Sequence, residues 1–319
     1  MENQKFIVCV NRAGIGNRLR GLVSAIRLCK LLKRKLLLYW ENNQYCGCNF
    51  NDLFENKFDE VTKEELKKIK NKNSKIYKDV LEEGYEQYDY LIFDTWKFVF
   101  LPEEIQNDFN KAYISKEGSN VNFEFQRIPE DKKKEIINHL SELIPVESIR
   151  KIVENFSEEN NLSNCIGLHI RRADYDFTVE DRGKVSSDRR FIEKIQSMPN
   201  EKFLLCTDGV KTENNLKELF KDRIIVYPKG DRKRSKKESL QEALIDMLLL
   251  SKTKNIFGSY LSTFTELAWW FGGCKNKMEI VGIENVGESL VPRTFLQKVI
   301  WKLKFYKVNF LRWIFRMYK

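Results

Sequence analysis

Residues 164–174 read NCIGLHIRRAD, and this stretch decides the fold class of the chain. Its apolar run predicts a buried strand, and Arg171 and Arg172 follow at the carboxyl end of that strand. In an open α/β sheet, ligands bind at the carboxyl ends of the strands. A guanidinium stays protonated and donates paired hydrogen bonds, so the two arginines suit a diphosphate without a metal. The alternative is a pair of solvated arginines in a salt bridge with Asp174.

Strand-like and helix-like segments alternate after this stretch, with short connections between them. In chain order they read KFLLCTD, TENNLKELF, RIIVYPK, SLQEALIDMLLLSKT, NIFGSY, STFTELAWWFGG and MEIVGI. This alternation predicts an α/β protein in which helices cover both faces of a parallel sheet. Polar clusters fall at strand ends or at the helix starts just beyond them, and we expect them to converge on one crevice. These clusters are Arg171 with Arg172, Thr207 with Asp208, and residues 262–265.

The N-terminal part of the chain begins in the same way. KFIVCV predicts a strand, NRAGIG a tight loop, residues 17–34 a helix and KLLLYW the next strand. Gly14 and Gly16 let the loop turn sharply, and a helix start at Asn17 offers free amides to an anionic or hydroxyl-rich ligand. The loop matches neither common nucleotide fingerprint, since Leu19 replaces the third glycine of a dinucleotide loop and no GK[ST] follows.

The length of 319 residues and the hydrophobic content of 42% support two domains, each with its own core. We divide the chain into two Rossmann-like halves that face each other across a cleft. Residues 1–160 form the acceptor-side domain, residues 161–292 form the donor-binding domain, and residues 293–319 form a tail. Between residues 52 and 154 the sequence has helical spacing and indicates little chemistry. Its run KEELKKIKNKNSK is interpreted as a solvated helix face.

The net charge of +10 is concentrated in the tail, where residues 293–319 contain eight basic residues and no acidic one. On a helical wheel the basic and apolar residues of the tail separate, which is typical of a helix on an anionic membrane surface. A terminal helix that packs on the body of the protein is the alternative. The second basic stretch, KGDRKRSKK at residues 229–237, is interpreted as an exposed loop near the mouth of the cleft.

The seven cysteines are odd in number and lack the spacing of a disulfide framework, which predicts a reducing compartment. Neither a signal peptide nor a membrane-spanning run is recognisable. We therefore expect a cytoplasmic protein that contacts the inner face of a membrane through its tail. Cys46 and Cys48 form a CxC pair, but with only His139 and His169 available we expect no metal site.

Five stretches together resemble the fucosyltransferase superfamily, which includes nodulation and core α1,6-fucosyltransferases and the protein O-fucosyltransferases. They are GIGNRLRGLVSA, WENNQYCGCNFNDLF, HIRRAD, CTD and IDMLLLSKTKNIFGSYLSTFTELA. Only the middle of the chain, about residues 57–160, is unmatched. The resemblance implies a GT-B fold, GDP-fucose as donor substrate, inversion at the sugar carbon, and neither a metal nor another cofactor.

The resemblance also implies roles for individual residues. Arg171 is similar to the arginine that grips the β-phosphate and balances charge on the departing GDP. A hydrogen-bond donor that is already oriented towards this developing charge lowers the barrier most. Arg172 would be an auxiliary contact. Asp246 resembles the carboxylate that reads guanine, because a carboxylate accepts from both the ring and the exocyclic N–H groups of that base. A helix residue paired with a nearby lysine is the alternative for Asp246.

Further donor-binding residues are implied at the loops and helix starts of both halves. His169 supports the loop in the alternative interpretation, and helix capping alone would account for Ser262. The complete set of further donor-binding residues that we predict is Gly14, Gly16, Asn17, His169, Asp208, Ser262, Thr263 and Phe264.

An inverting transfer needs a base for the acceptor hydroxyl. The core α1,6 enzymes place a glutamate shortly after the histidine of the HxRR motif, and here Glu180 follows His169 by eleven residues. The spacing leaves Asp176, Glu180 and Asp181 as candidates, and Glu180 is preferred. Asp174 and Asp176 also form a DxD pattern, but its place inside the arginine motif argues against a manganese site.

The expected acceptor is a glycan, and the tail favours a surface polysaccharide or a lipid-linked oligosaccharide precursor. Two other classes stay open. The chain could use another GDP-sugar, because guanine and phosphate contacts do not identify the hexose. It could also bind nucleic acid, as the pI of about 9.1 suggests. The aromatic residues lie in the tail and not among the basic residues of the cleft, so we expect no nucleic-acid partner.

Overall fold

A parallel sheet of five strands forms the N-terminal half of the described structure. In chain order its strands are β1 (Phe6–Val10), β2 (Lys35–Tyr39), β3 (Asp59–Glu60), β4 (Ser74–Tyr77) and β5 (Tyr90–Asp94). Their spatial order is β3-β2-β1-β5-β4, so the buried apolar strand β1 lies at the centre. The computed structural model describes residues 4–10, 12–78, 80–95, 99–101, 104, 130–172, 185–260 and 262–282.

Helix α1 (Ile15–Leu31) follows β1 and is buried on nearly every side. It packs against β1 and β2 of its own half and against the helix Thr263–Phe271 of the second half. The expected helix at residues 17–34 is therefore present with shifted ends. Gly14 takes the N-cap position, and the chain leaves the helix where Lys33 adopts a left-handed φ of 51°. The apolar residues predicted for one face are all buried, namely Leu19, Leu22, Val23, Ile26 and Cys29.

The middle of the chain completes the first sheet, which the sequence interpretation missed. Helix α2 (Lys63–Lys70) buries Leu66 and Ile69 and exposes its lysines, as expected for a solvated helix. The SKIY and YLIFD segments, in contrast, are β4 and β5. Strand β4 lies at the edge of the sheet and leaves Ile76 45% exposed, so its pattern lacks the apolar run of a central strand.

A second parallel sheet forms the C-terminal half, as the alternation of segments predicted. Its strands are β6 (Ile166–Ile170), β7 (Phe203–Thr207), β8 (Ile224–Ile225), β9 (Asn255–Gly258) and β10 (Lys277–Ile280). They lie in the order β10-β9-β6-β7-β8, and every residue of the central strand β6 is buried. The segment that carries the two arginines is thus the central strand of this sheet.

Helices link the two halves. Helix α3 (Glu130–Ser141) packs on α1, and helix α4 (Glu147–Glu159) precedes the turn that leads into β6. The later helices are α5 (Asp188–Gln196), α6 (Val210–Phe220), α7 (Lys237–Ser251) and α8 (Thr263–Phe271). Helix α4 packs on α7, while α3 and α1 both pack on α8. The position of the domain boundary at residue 160 stays a prediction.

Two direct contacts show how closely the halves approach each other. Arg20 on α1 forms a buried ion pair with Glu266 on α8, with 3.2 Å between Nη1 and Oε2. Gly47 donates its backbone N–H to the carbonyl oxygen of Arg234 at 2.7 Å, so the loop at residues 229–237 touches the first half. A buried charge requires its partner, so the first contact specifies how α1 and α8 dock against each other.

None of the helices in the described part of the chain is both long and apolar enough to cross a membrane. The tail at residues 293–319 lies outside the described residues. Its proposed contact with an anionic surface therefore stays a prediction from the sequence.

The substitution Gly47→Ala tests the contact between the halves. A Cβ atom on Gly47 would lie 2.1 Å from the backbone carbon of Ser235, so the loop at residues 229–237 must move away. We expect the free energy of unfolding to fall by about 1–3 kcal/mol in urea titrations. Gly230→Ala is the matched control, since its Cβ would lie 3.5 Å from the nearest atom, in the flexible side chain of Glu242. Equal stability of the two variants would contradict this close contact.

Candidate active site

The polar strand ends of the second sheet meet at one edge, as the sequence predicted. Arg171 and Arg172 follow β6, and each donates its backbone N–H to a side chain from a neighbouring strand. Arg171 donates to Ser259 Oγ at 2.9 Å, and Arg172 donates to Asp208 Oδ1 at 2.5 Å. Ser259 follows β9 and also donates its hydroxyl to the carbonyl of His169 at 3.0 Å. Sequence reasoning missed Ser259, although its place just after a buried strand was a usable signal.

The side chain of Arg172 is committed to its own domain. Its Nε donates to Asp188 Oδ1 at 2.8 Å, Nη2 donates to the same carboxylate and to the Ser186 carbonyl, and Nη1 donates to the Arg171 carbonyl. Most donors of this guanidinium are thereby used within the protein. The geometry therefore gives Arg172 a structural role in holding the start of α5, and its auxiliary contact with a donor stays a prediction.

Arg171 is the more accessible of the two arginines. Its side chain is 30% exposed, compared with 16% for Arg172. Its Nε lies 3.4 Å from Asp208 Oδ2, and the other oxygen of Asp208 accepts the backbone N–H of Arg172. Asp208 thus places an anchored negative charge beside the Arg171 guanidinium, although no hydrogen bond joins Oδ2 to it in the described structure. A charge held in this way needs little reorganisation when it meets an anion.

His169 supports the start of α8. It is buried, its Nδ1 lies 2.6 Å from Thr265 Oγ1, and its ring stacks on Phe264 with a centroid distance of 4.6 Å. Burial lowers the pKa of His169 well below its usual value, and the nearby charges of Arg171, Lys229 and Arg172 lower it further. The neutral imidazole therefore acts as a packing and hydrogen-bonding group beneath the helix start. This geometry favours the supporting role over direct contact with the donor.

The capping explanation for Ser262 was wrong. Ser262 occupies the N-cap position of α8, but among the described residues its side chain makes no capping hydrogen bond. Its Oγ lies 3.5 Å from His169 Nδ1 instead. The first amides of α8 are therefore not satisfied by the serine hydroxyl, and an anion at this helix start would find donors there.

The glycine loop of the first half lies against the start of α8. A Cβ atom on Gly16 would approach Thr263 Oγ1 to 3.1 Å and the Phe264 backbone nitrogen to 3.4 Å. Gly16 and Asn17 belong to the first turn of α1, so the first turns of two helices from different halves meet here. Each helix N-terminus carries a partial positive charge, and the two together favour a negatively charged ligand.

Arg18 holds the glycine loop in place, and sequence reasoning did not single it out. Its Nε donates to the Ala13 carbonyl at 2.6 Å and its Nη1 to the Glu41 carbonyl at 2.7 Å. The guanidinium also stacks over the Trp40 ring at 5.0 Å and is almost fully buried. The sequence signal was its place next to Asn17 in the GNR pattern, where a buried arginine must bind carbonyl groups.

Asp246 on α7 is buried and forms an ion pair with Lys229, with 2.7 Å between Nζ and Oδ2. Burial raises the pKa of Asp246, and the charge of Lys229 opposes that rise. Cys206, in β7, donates its thiol to the Asp246 backbone carbonyl at 3.6 Å. Asp246 therefore lies beside β7, the strand in which Cys206 pairs with His169 of β6. The lysine partner that the sequence left as an alternative is thus present. The second carboxylate oxygen, Oδ1, is buried without a hydrogen-bond partner among the residues described.

The interpretation of residues 229–237 as an exposed loop was only partly correct. The Lys233 side chain is 74% exposed, but those of Lys229 and Arg232 are only 4% and 15% exposed. Lys229 is buried because it pairs with Asp246, and Arg232 is buried because it pairs with Glu213 on α6. Two of the six basic residues of this loop are therefore neutralised by carboxylates inside the protein.

The candidate bases Asp176, Glu180 and Asp181 lie outside the described residues, as does Asp174. The identity of the base therefore stays a prediction. Within the ranges that the structure describes, no group of three or more His, Cys, Asp or Glu side chains could hold a metal ion.

Solved structures share this arrangement of two sheets, although no protein-family model and no curated protein sequence matches the chain. NodZ α-1,6-fucosyltransferase from Bradyrhizobium, co-crystallised with GDP, superposes with a TM-score of 0.51 and 18% identity over 83% of this chain and 92% of NodZ. NodZ soaked with GDP-fucose gives a TM-score of 0.52 and 17% identity over 84% and 92% of the two chains. A variant of Arabidopsis thaliana FUT1 in complex with GDP gives 0.55 and 18% over 85% and 69%.

These similarities concern the fold. The protein is an α/β protein with two parallel sheets, and this is the GT-B type of architecture found in these fucosyltransferases. The fold class predicted from the sequence is confirmed, and the structural similarity agrees with the family resemblance of the motifs.

The buried neutral state of His169 predicts a specific dependence of stability on pH. The pKa of His169 is well below 6.5 in the folded protein, so as the pH falls below 6.5 the unfolded chain binds a proton that the folded chain does not. The free energy of unfolding should therefore fall by up to about 1.4 kcal/mol per pH unit between pH 6.5 and the folded-state pKa. His169→Asn should remove this part of the dependence in urea titrations at pH 7.0 and 5.5.

His139→Asn provides the matched control, because His139 is the other histidine of the chain. This variant should retain the pH dependence that His169 contributes. Parallel curves for the wild type and His169→Asn would contradict the assignment.

Proposed function

We propose that the protein is a glycosyltransferase that moves fucose from GDP-fucose to a glycan acceptor, with inversion at the sugar carbon and without a metal ion. One observation carries this proposal. Arg171, anchored through Asp208, lies at the carboxyl edge of a sheet where the first turns of α1 and α8 meet. NodZ was co-crystallised with GDP and soaked with GDP-fucose, and the FUT1 variant is in complex with GDP, which supports a nucleotide-sugar donor in this fold.

The phosphate chemistry follows from the charges at this edge. In glycosyl transfer the sugar becomes oxocarbenium-like while negative charge grows on the departing phosphate. Arg171 supplies a full positive charge, and the two helix starts supply partial charges and amide donors. Because these groups are already oriented by Asp208, Ser259 and the packing of Gly16, they stabilise the leaving group without a divalent cation.

Asp246 is proposed to bind the guanine base of the donor. Lys229 binds Oδ2 and leaves Oδ1 without a partner among the described residues. An ionised carboxylate is an acceptor only, and guanine presents two adjacent N–H donors that adenine and uracil do not present together. The same position would suit any GDP-sugar, so a transferase for another GDP-linked hexose is the second candidate.

The proposals about the acceptor and the catalytic base are based on the sequence alone. Glu180 is proposed as the base for the acceptor hydroxyl, with Asp176 and Asp181 as alternatives. The acceptor is proposed to be a surface polysaccharide or a lipid-linked oligosaccharide precursor, and residues 293–319 are proposed to bind an anionic membrane surface. Nucleic-acid binding loses support, because Lys229 and Arg232 of the basic loop are paired with buried carboxylates.

Arg171→Ala tests the proposed phosphate contact. With a panel of GDP-sugars and a glycan array, the wild type should transfer fucose from GDP-fucose in the presence of excess EDTA. Arg171→Ala should lower the transfer rate by about a hundredfold or more, because the leaving phosphate loses its strongest positive partner. The product is measured by mass spectrometry.

Arg189→Ala is the matched control for charge, since this arginine is 87% exposed on α5 and pairs only with the exposed Glu193 among the contacts described. It should leave the rate unchanged. Near-normal transfer by Arg171→Ala would contradict its role, and strict dependence on a divalent cation would contradict the proposed mechanism. Transfer of a hexose other than fucose would favour the second candidate.

Asp246→Asn tests the proposed guanine contact. The amide brings a donor to face the donors of guanine, so GDP affinity measured by calorimetry should fall by about 1–3 kcal/mol. The substitution also leaves Lys229 charged and buried without its partner, which should lower stability.

A double variant separates these two effects. Asp246→Asn combined with Lys229→Met removes both charges of the pair, so stability should recover while GDP affinity stays low. If the double variant is stable and binds GDP as tightly as the wild type, Asp246 is only a structural ion-pair residue.

A further inference from the structure

Arg232 has buried hydrogen-bond donors without a partner. Its Nε and Nη1 atoms are buried, and neither has a hydrogen-bond partner among the residues that the structure describes. Within the described residues, Nη2 is the only guanidinium nitrogen of Arg232 with a hydrogen bond, which it donates to the carboxylate of Glu213. Leaving a buried donor unpaired destabilises the folded protein, so such donors call for an explanation. A ligand with acceptor atoms would supply one.

These donors belong to the same short loop as Lys229, which lies three residues before Arg232 and binds Asp246. Glu213, which holds Arg232, lies on α6, the helix that follows β7. Asp246 contacts Cys206 in the same strand β7. Burial raises the pKa of Asp246, while the charges of Lys229 and Arg232 oppose that rise. The basic loop therefore connects a carboxylate that has an unpaired oxygen, bound by Lys229, with a guanidinium that has unpaired donors, on Arg232.

The two ion pairs of this cluster are not equally covered. The side chain of Lys229 is 4% exposed and that of Arg232 is 15% exposed, so the arginine side chain as a whole is less completely covered. Arginine also presents five donors, of which the carboxylate of Glu213 occupies only Nη2 among the contacts described. Lys229 thus serves to neutralise Asp246, whereas Arg232 retains donors for a ligand.

Guanine has hydrogen-bond donors that could pair with Asp246 Oδ1 and acceptors that could pair with the free donors of Arg232. Its N1–H and exocyclic amino group are donors, and its O6 and N7 atoms are acceptors. Arginine bound to O6 and N7 is the commonest specific contact between proteins and guanine in DNA, and each such pair discriminates by a factor of about 10 to 100. Adenine would place an amino group in front of the guanidinium, where two donors repel each other.

We propose that Arg232 is a second residue that selects guanine, by donating to the O6 and N7 edge of the base while Asp246 accepts from its N–H groups. This inference rests on the proposed function, in which the site binds a GDP-sugar. It adds a residue from the basic loop to the specificity of that site. It also gives a role to Arg232, whose side chain is 15% exposed while that of Lys233 in the same loop is 74% exposed.

Nucleotide analogues test the proposal without any substitution. IDP keeps O6 and N7 but lacks the exocyclic amino group, so it loses only a contact assigned to Asp246. 7-Deaza-GDP keeps both N–H donors but lacks N7, so it loses only a contact assigned to Arg232. In calorimetry with the wild type, both analogues should bind several-fold more weakly than GDP, and ADP should bind most weakly.

The variant Arg232→Met then tests whether Arg232 causes the weaker binding of 7-deaza-GDP. This variant should bind GDP about 10- to 100-fold more weakly than the wild type. It should bind GDP and 7-deaza-GDP equally well, yet still discriminate against IDP. Lys233→Met is the matched control, because it removes one charge from an exposed side chain of the same loop. This control should retain the full preference of the wild type.

A further variant protects the test from loss of folding. Arg232→Met leaves Glu213 buried without its partner, so the double variant Arg232→Met with Glu213→Gln removes both charges and should behave like Arg232→Met in binding. Equal affinity of the wild type for GDP and 7-deaza-GDP, or wild-type GDP affinity in the double variant, would overturn the role of Arg232. Failure of the wild type to bind GDP at all would instead overturn the proposed function.

Discussion

The close approach of two helix starts is the constraint on which the rest of the structure depends. The first turn of α1 meets the first turn of α8 with so little room that a methyl group on Gly16 would press on Thr263 and Phe264. One turn further along, Arg20 and Glu266 form a buried ion pair between the same two helices. A buried charge is tolerated only with its partner, so this pair favours one docking of the halves. The helix starts then share one edge with the carboxyl end of β6.

Carboxylates determine which positive charges remain available at this edge. Asp188 engages the guanidinium of Arg172, Asp246 engages Lys229, and Glu213 engages one side of Arg232. Arg171 has the most exposed side chain of these four basic residues, at 30%, and its Nε lies 3.4 Å from Asp208 Oδ2. An anion that enters the cleft would therefore meet Arg171 before the others. Four basic residues that look equivalent in the sequence thus differ in what they can bind.

Much of the fold followed from local pattern. The apolar run before Arg171 predicted the central strand of the second sheet, and the alternation after it predicted parallel strands separated by helices. The same reasoning found β1, α1 and β2. It failed in the middle of the chain, where β4 is an edge strand and has one buried residue. Its pairing with β5 depends on a neighbour brought in by folding, and spacing alone does not encode that neighbour.

The sequence by itself determined the architecture and the chemical character of the site, because strands, helix starts and the residues that end them are set by contacts between near neighbours. It placed Arg171, Asp208 and the start of α8 at one sheet edge, since parallel strands end on the same side. Only the tertiary structure decided the partner of each charge. The contacts of Arg172 with Asp188, of Lys229 with Asp246 and of Ser262 with His169 join residues 16, 17 and 93 positions apart in the chain. Such pairings depend on how the helices dock on the sheet, and docking is a property of the whole packed core.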